Sequence, residues 1–94
     1  MLRTFKSRQL AELWRKGSAS KIDARLQARI LLRLDALDSA RVAEDMNQPG
    51  FDFHALRGLK PKRYTVRVNG PWCITFEFEG ENATRVDLVN YHRG

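Results

Sequence analysis

A single cysteine, Cys73, stands in the 94 residues. One thiol closes no internal disulfide and builds no CxxC metal clamp. Long apolar runs are missing too. The longest aliphatic one is Ile30-Leu31-Leu32, far short of a membrane span, and Met1 to Lys6 lack the apolar stretch of a secretory signal. No P-loop, GxGxxG, HExxH or GxSxG occurs, so no phosphate cradle, zinc protease or nucleophile elbow is indicated. His54 and His92 with one cysteine make no metal set. The expectation is a cytoplasmic protein that needs no membrane, metal or other cofactor.

Hydrophobic residues make up 43% and aromatics 10%, enough for one modest core in a single domain spanning residues 1–94. Seventeen basic residues oppose eleven acidic ones, for a net charge of +6. Twelve of the seventeen are Arg, whose planar fork suits phosphate. An anionic partner follows, with nucleic acid the first candidate. The charge is uneven. Between residues 57 and 72 lie Arg57, Lys60, Lys62, Arg63 and Arg67 with no acidic residue among them. Gly58 and Pro61 make the first part of this cluster read as a loop. Either the loop is simply solvated or it is the phosphate-tracking edge of a site.

Two helices are expected in the N-terminal half. Ser7 reads as an N-cap, Leu10, Leu13 and Trp14 share a face, and Gly17 ends the first helix. Ser20 with Asp23 resembles a weakened capping box opening a second helix, which fades near Ala40. Its apolar stripe is Ile22, Leu26, Ile30, Leu34 and Leu37. Arg25, Arg29 and Arg33 recur at i, i+4 and i+8 and are expected to face solvent. Leu2-Arg3-Thr4-Phe5 reads as a short first strand, and Asn47-Gln48-Pro49-Gly50 as a turn.

The C-terminal half alternates with period two. Tyr64, Val66 and Val68 form one apolar series. Trp72, Ile74, Phe76 and Phe78 form a second, and Thr84, Val86 and Leu88 a third. Three such segments in succession predict an antiparallel meander with one buried face. A three-residue loop Asn69-Gly70-Pro71 sets Val68 opposite Trp72, Arg67 opposite Cys73 and Val66 opposite Ile74. A loop at Gly80-Glu81-Asn82 sets Glu77 opposite Arg85 and Cys73 opposite Val89. Arg67, Cys73, Val89 and Tyr91 then share the open face, while the helices cover the other.

His54, Arg57, Arg67, Tyr91 and His92 remain as a basic and aromatic set. Metal-free RNA cleavage needs a base for the ribose 2′-OH, an acid for the leaving 5′ oxygen and cations for the phosphorane charge. His titrates near neutrality, Arg binds phosphate oxygens in bidentate fashion, and Tyr donates a proton or stacks on a base. The set suits that chemistry without being specific to it.

The order of these residues adds specificity. Leu2-Arg3-Thr4-Phe5 is followed by the Leu13-Trp14 helix closing at Lys16-Gly17. Next come Leu34-Asp35-Ala36-Leu37-Asp38, Asp45-Met46-Asn47 with Pro49-Gly50, and Phe53-His54-Ala55-Leu56-Arg57-Gly58. The series ends with Tyr64-Thr65-Val66-Arg67-Val68-Asn69-Gly70, Trp72-Cys73-Ile74-Thr75-Phe76 and Val86-Asp87-Leu88-Val89-Asn90-Tyr91-His92. Taken together, the chain resembles the HigB-type toxins of the RelE/ParE superfamily nearly end to end. The resemblance implies an α+β fold, two N-terminal helices on one face of a small antiparallel sheet. It implies a ribosome-dependent mRNA endonuclease acting in the decoding site, neutralised by a helix-turn-helix antitoxin through which alone it reaches operator DNA. It implies catalytic roles for His54, Arg67, Tyr91 and His92, with phosphate contacts from Arg57, Lys60, Lys62 and Arg63. Such toxins often carry Arg after the Trp and Asp before the terminal Tyr-His, where this chain has Cys73 and Asn90. The first change removes a phosphate-stabilising cation, for which Lys62 or Arg63 is a substitute, and the second a carboxylate able to orient His92. Two other readings stay open: a non-catalytic member that binds antitoxin, ribosome or RNA, and a ParE-like inhibitor of a DNA enzyme. His54 and Tyr91-His92 favour the nuclease over the latter.

Overall fold

A computed structural model describes residues 1–58 and 60–91 of the chain. Helix α1 spans Arg8–Lys16. The Ser7 hydroxyl accepts from the Leu10 amide, and Gly17 closes the helix at φ +80°, donating its amide to the Leu13 carbonyl. Only a residue without Cβ adopts that left-handed conformation at little cost. Leu10 and Leu13 point inward and are fully buried.

Helix α2 spans Ala24–Ser39. Ser20 does not open it. The cap is Asp23, whose carboxylate accepts from the Arg25 amide at 2.9 Å and pairs with the Arg25 guanidinium at 3.0 Å. A charged acceptor is the stronger cap. Ser20 and Lys21 instead lie in a turn before the helix, held where Gln27 Nε2 donates to the Ala19 and Ile22 carbonyls. Ile22 is therefore buried just ahead of α2, and Leu26, Ile30, Leu34 and Leu37 continue the stripe within it. The chain then passes through a short 3₁₀ turn, Ala43–Met46.

The sheet has four antiparallel strands in the order β1 (His54–Leu56), β2 (Arg63–Asn69), β3 (Trp72–Glu79) and β4 (Asn82–Asn90). The meander is as expected, and β1 extends it at one edge, pairing His54 with Thr65 and Leu56 with Arg63. Three residues carry too little periodicity to read as a strand. At the opposite edge residues 2–5 lie parallel to β4, bridging at Leu2–Ala83 and Phe5–Val86 rather than forming a full strand.

The expected register holds in the middle of both hairpins: Val66 faces Ile74, Arg67 faces Cys73 and Cys73 faces Val89. It departs near the turns, each time by one bulged residue. In β2 the partner of Trp72 is Asn69, not Val68, which becomes the extra residue. In β4 Glu77 pairs with Thr84, and Arg85 is the extra residue, at φ +50°. The Arg85 amide donates to Thr4 Oγ1 at 2.8 Å, and its guanidinium still reaches Glu77 at 4.0 Å. The bulge shifts the alternation, so Ala83 rather than Thr84 joins Val86 in the core.

Both helices pack on the face carrying Val66, Val68, Ile74, Phe76, Ala83 and Val86, all buried. Trp72 and Phe78 are half-buried against that core. Phe53, Tyr64, Phe76 and Phe78 line up with ring centroids 5.7, 5.8 and 6.0 Å apart, so Phe76 is gripped from two sides. Among the described residues no helix is long and apolar enough to cross a membrane. Phe76→Ala should cost about 3–5 kcal/mol of stability, read as a lowered denaturation midpoint; an unchanged midpoint would contradict this placement of the ring.

Candidate active site

The uncovered face of the sheet carries a cleft of about 740 Å³. Alternation on β2 and β3 turns Thr65, Arg67 and Cys73 away from the helices, and these residues form its floor. Asp52, His54 and Leu56 line one side; Gly70, Pro71, Asn90 and Tyr91 line the other.

The Arg67 guanidinium is more than half exposed and lies 3.5 Å from the Asp52 carboxylate. Its backbone is held far more tightly. The Arg67 amide donates to the Phe51 carbonyl at 2.7 Å, and the Arg67 carbonyl accepts from Arg33 Nε at 2.6 Å. The i, i+4, i+8 spacing predicts that Arg33 faces solvent, yet it is only 6% exposed. The helical repeat accounts for this. Each i to i+4 step turns about 40°, so two steps carry an arginine row roughly 80° around the helix. Arg25 and Arg29 stay exposed while Arg33 reaches the inner face. There it also donates to the Arg29 carbonyl at 3.0 Å and the Gly50 carbonyl at 3.3 Å. Its guanidinium carbon sits 4.6 Å from the Phe51 ring centroid. Burial, and secondarily Arg29, push its pKa below the ordinary arginine value.

His54 is exposed at the start of β1, with Nδ1 3.1 Å from the Asp52 carbonyl oxygen. A carbonyl only accepts, so this bond assigns the hydrogen to Nδ1 and leaves Nε2 of the neutral ring with its lone pair. Asp52 thus touches both His54, through its carbonyl, and Arg67, through its carboxylate. Its backbone is in the left-handed region at φ +49°, where Asp is among the side chains best tolerated. No pattern in the sequence singled it out.

Tyr91 follows β4, its amide donating to the Pro71 carbonyl at 2.8 Å, its side chain on the cleft rim. The cleft therefore brings together His54, Arg67 and Tyr91. His92 lies outside the described residues. Arg57, Lys60 and Lys62 are exposed on the connection leaving Leu56 and do not line the cleft; Lys62 Nζ sits 5.8 Å from the Tyr64 ring centroid. Arg63 is turned along the sheet, donating to Thr75 Oγ1 at 3.2 Å and lying 3.6 Å from the mostly buried Glu77 carboxylate. Arg67 is thus the one basic side chain besides His54 lining the cleft among the described residues. Nor do the described residues gather three or more His, Cys, Asp or Glu side chains able to hold a metal ion.

Two comparisons bear on this arrangement. Residues 3–92 match the family model described as RelE-like toxin of type II toxin–antitoxin system HigB. The chain is also similar to the endoribonuclease HigB of Proteus vulgaris, 32% identical over 92 residues that cover 98% of this chain and 100% of that one.

Cys73 is half-exposed on the cleft floor. A small thiol reagent should label it in the folded protein; labelling that waits for unfolding would contradict an open cleft.

Proposed function

The chain belongs to the RelE-like toxins of the type II toxin–antitoxin system HigB, and from that membership we propose an endoribonuclease that cuts mRNA on the ribosome. The observation that carries the proposal is the convergence of His54, Arg67 and Tyr91 on one open cleft. His54 Nε2 takes the proton of a ribose 2′-OH. The 2′ oxygen attacks the adjacent phosphorus, and the Arg67 fork holds the nonbridging oxygens as negative charge builds. The bond to the 5′ oxygen breaks, that oxygen gains a proton, and the products are a 2′,3′-cyclic phosphate and a 5′-hydroxyl. His92 or Tyr91 is the proton donor, and the Tyr91 ring, 45% exposed, is also free to stack on a base. No metal takes part.

A type II toxin implies an antitoxin partner. We take that partner to be a helix-turn-helix protein, through which the toxin meets operator DNA, and the site of action to be the cytoplasmic ribosome with mRNA in its decoding site. Arg57, Lys60 and Lys62, exposed beyond the Leu56 end of the cleft, are suited to phosphates of the ribosome or mRNA. Arg63, bonded to Thr75 and paired with Glu77 along the sheet, is the least available of the four for such a contact. Cys73 and Asn90 favour a second reading, a member that binds these partners without cutting.

His54→Ala, His92→Ala and Tyr91→Phe on programmed ribosomes distinguish the two. Removing a proton-transfer group should slow cleavage by about 10²–10⁴ with ribosome binding intact. Arg67→Lys should be partly active, because it keeps the charge and loses the fork. Parent-rate cleavage in all three variants overturns the site, and a parent that binds without cutting establishes the second reading.

A further inference from the structure

We propose that Arg33 is a positioning residue, one whose buried guanidinium sets where Arg67 and His54 stand relative to each other. The proposal rests on the cleft being the place of cleavage. Three carbonyls on three separate pieces of chain accept from this one side chain: Arg29 on α2, Gly50 in the loop before β1, and Arg67 on β2. The Phe51 ring stacks on the guanidinium, and the Phe51 carbonyl accepts from the Arg67 amide. These contacts close a ring: Arg33 to Arg67, Arg67 to Phe51, Phe51 back to Arg33. The chain leaving Phe51 passes through Asp52, whose carbonyl holds the His54 imidazole. The floor and one wall of the cleft are thereby fixed to a single planar group.

Stability alone does not call for an arginine at this point of the stripe. Its neighbours Ile30, Leu34 and Leu37 are fully buried and apolar, and no carboxylate forms an ion pair with Arg33 among the described residues. A buried cation without a counter-ion is costly. An apolar side chain would fill the space and leave the two cleft segments joined to each other by the Arg67–Phe51 bond and the β1–β2 ladder but no longer tied to α2. The fork geometry is the specific gain, because guanidinium donors diverge in a plane and an ammonium offers only a point charge.

Arg33→Lys and Arg33→Gln test this, with Ile30→Val as a comparator that loosens the same helix face without touching the ring of bonds. On programmed ribosomes kcat should fall about 10–100-fold in the Arg33 variants, as expected for a catalytic group displaced by about an ångström, while KM changes little and Lys recovers part of the loss. Ile30→Val should keep the parent kcat. Phe51→Leu, which keeps apolar volume but removes the ring face, should move kcat in the same direction by a smaller factor. It carries the test if the Arg33 variants do not fold. Parent-like kcat in folded Arg33→Lys and Arg33→Gln, or in Phe51→Leu where those do not fold, overturns the proposal. A second readout needs no activity. Hydrogen exchange at the Arg67 amide should speed up in Arg33→Lys far more than at the amides of β3, and equal changes throughout would overturn the local clamp. If the parent does not cut, the nuclease reading fails by itself, and exchange still decides whether the clamp exists.

Discussion

A guanidinium in the interior joins the two layers of this molecule. The helices and the sheet meet through apolar contacts that are strong but indifferent to small slides. Arg33 adds direction. Its bonds to Arg67 and Gly50 tie α2 to the middle of β2 and to the loop that enters β1. The β1–β2 ladder and the bond from the Arg67 amide to the Phe51 carbonyl already join the cleft floor to its His54 wall; without Arg33 that pair would meet α2 only through packing. With it, the residues that face RNA in the proposed reaction are referenced to one rigid plane.

The same economy governs the open face. One side of β2 and β3 packs against the helices, and alternation hands the other side to Arg67 and Cys73 without extra machinery. The open face is not uniformly available, however. Glu77 draws in Arg63 and lies near Arg85, so the charge there is largely spent internally. Arg67 is held differently. Its partner Asp52 is more than half exposed, as is Arg67 itself, and an exposed pair of this kind is weak. In the proposed reaction an incoming phosphate displaces it at little cost, which leaves Arg67 as the cation of the cleft among the described residues.

Much of this was legible in the sequence. Ser7 and Gly17 bracket α1 because a capping hydroxyl and a left-handed glycine act locally. The phase of Arg67, Cys73 and Tyr91 followed from alternation, which is also local. The features that local sequence does not encode depend on tertiary contacts. Arg85 bulges because Thr4, far away in sequence, offers its amide an acceptor, and the shift puts Ala83 in the core in place of Thr84. Strand β1 is three residues long and exists because β2 offers it an edge. Arg33 read as the third member of a solvated row, although its position three residues after Ile30 and four before Leu37 is itself a core spacing. Asp52 is marked by nothing but its place in space. Residue types alone grouped His54 with Arg67 and Tyr91 without specificity; the resemblance to HigB-type toxins gave that group its expected chemistry.

Cleavage by the 2′-hydroxyl in the cleft above Arg67 is the step on which the proposed function depends. Its most direct measurement uses programmed ribosomes carrying an mRNA with a single 2′-deoxy nucleotide at the position the parent protein cuts. The expected result is no cleavage at that position, with unmodified mRNA giving a 2′,3′-cyclic phosphate and a 5′-hydroxyl. Cleavage of the deoxy-substituted mRNA at the same site would contradict the account.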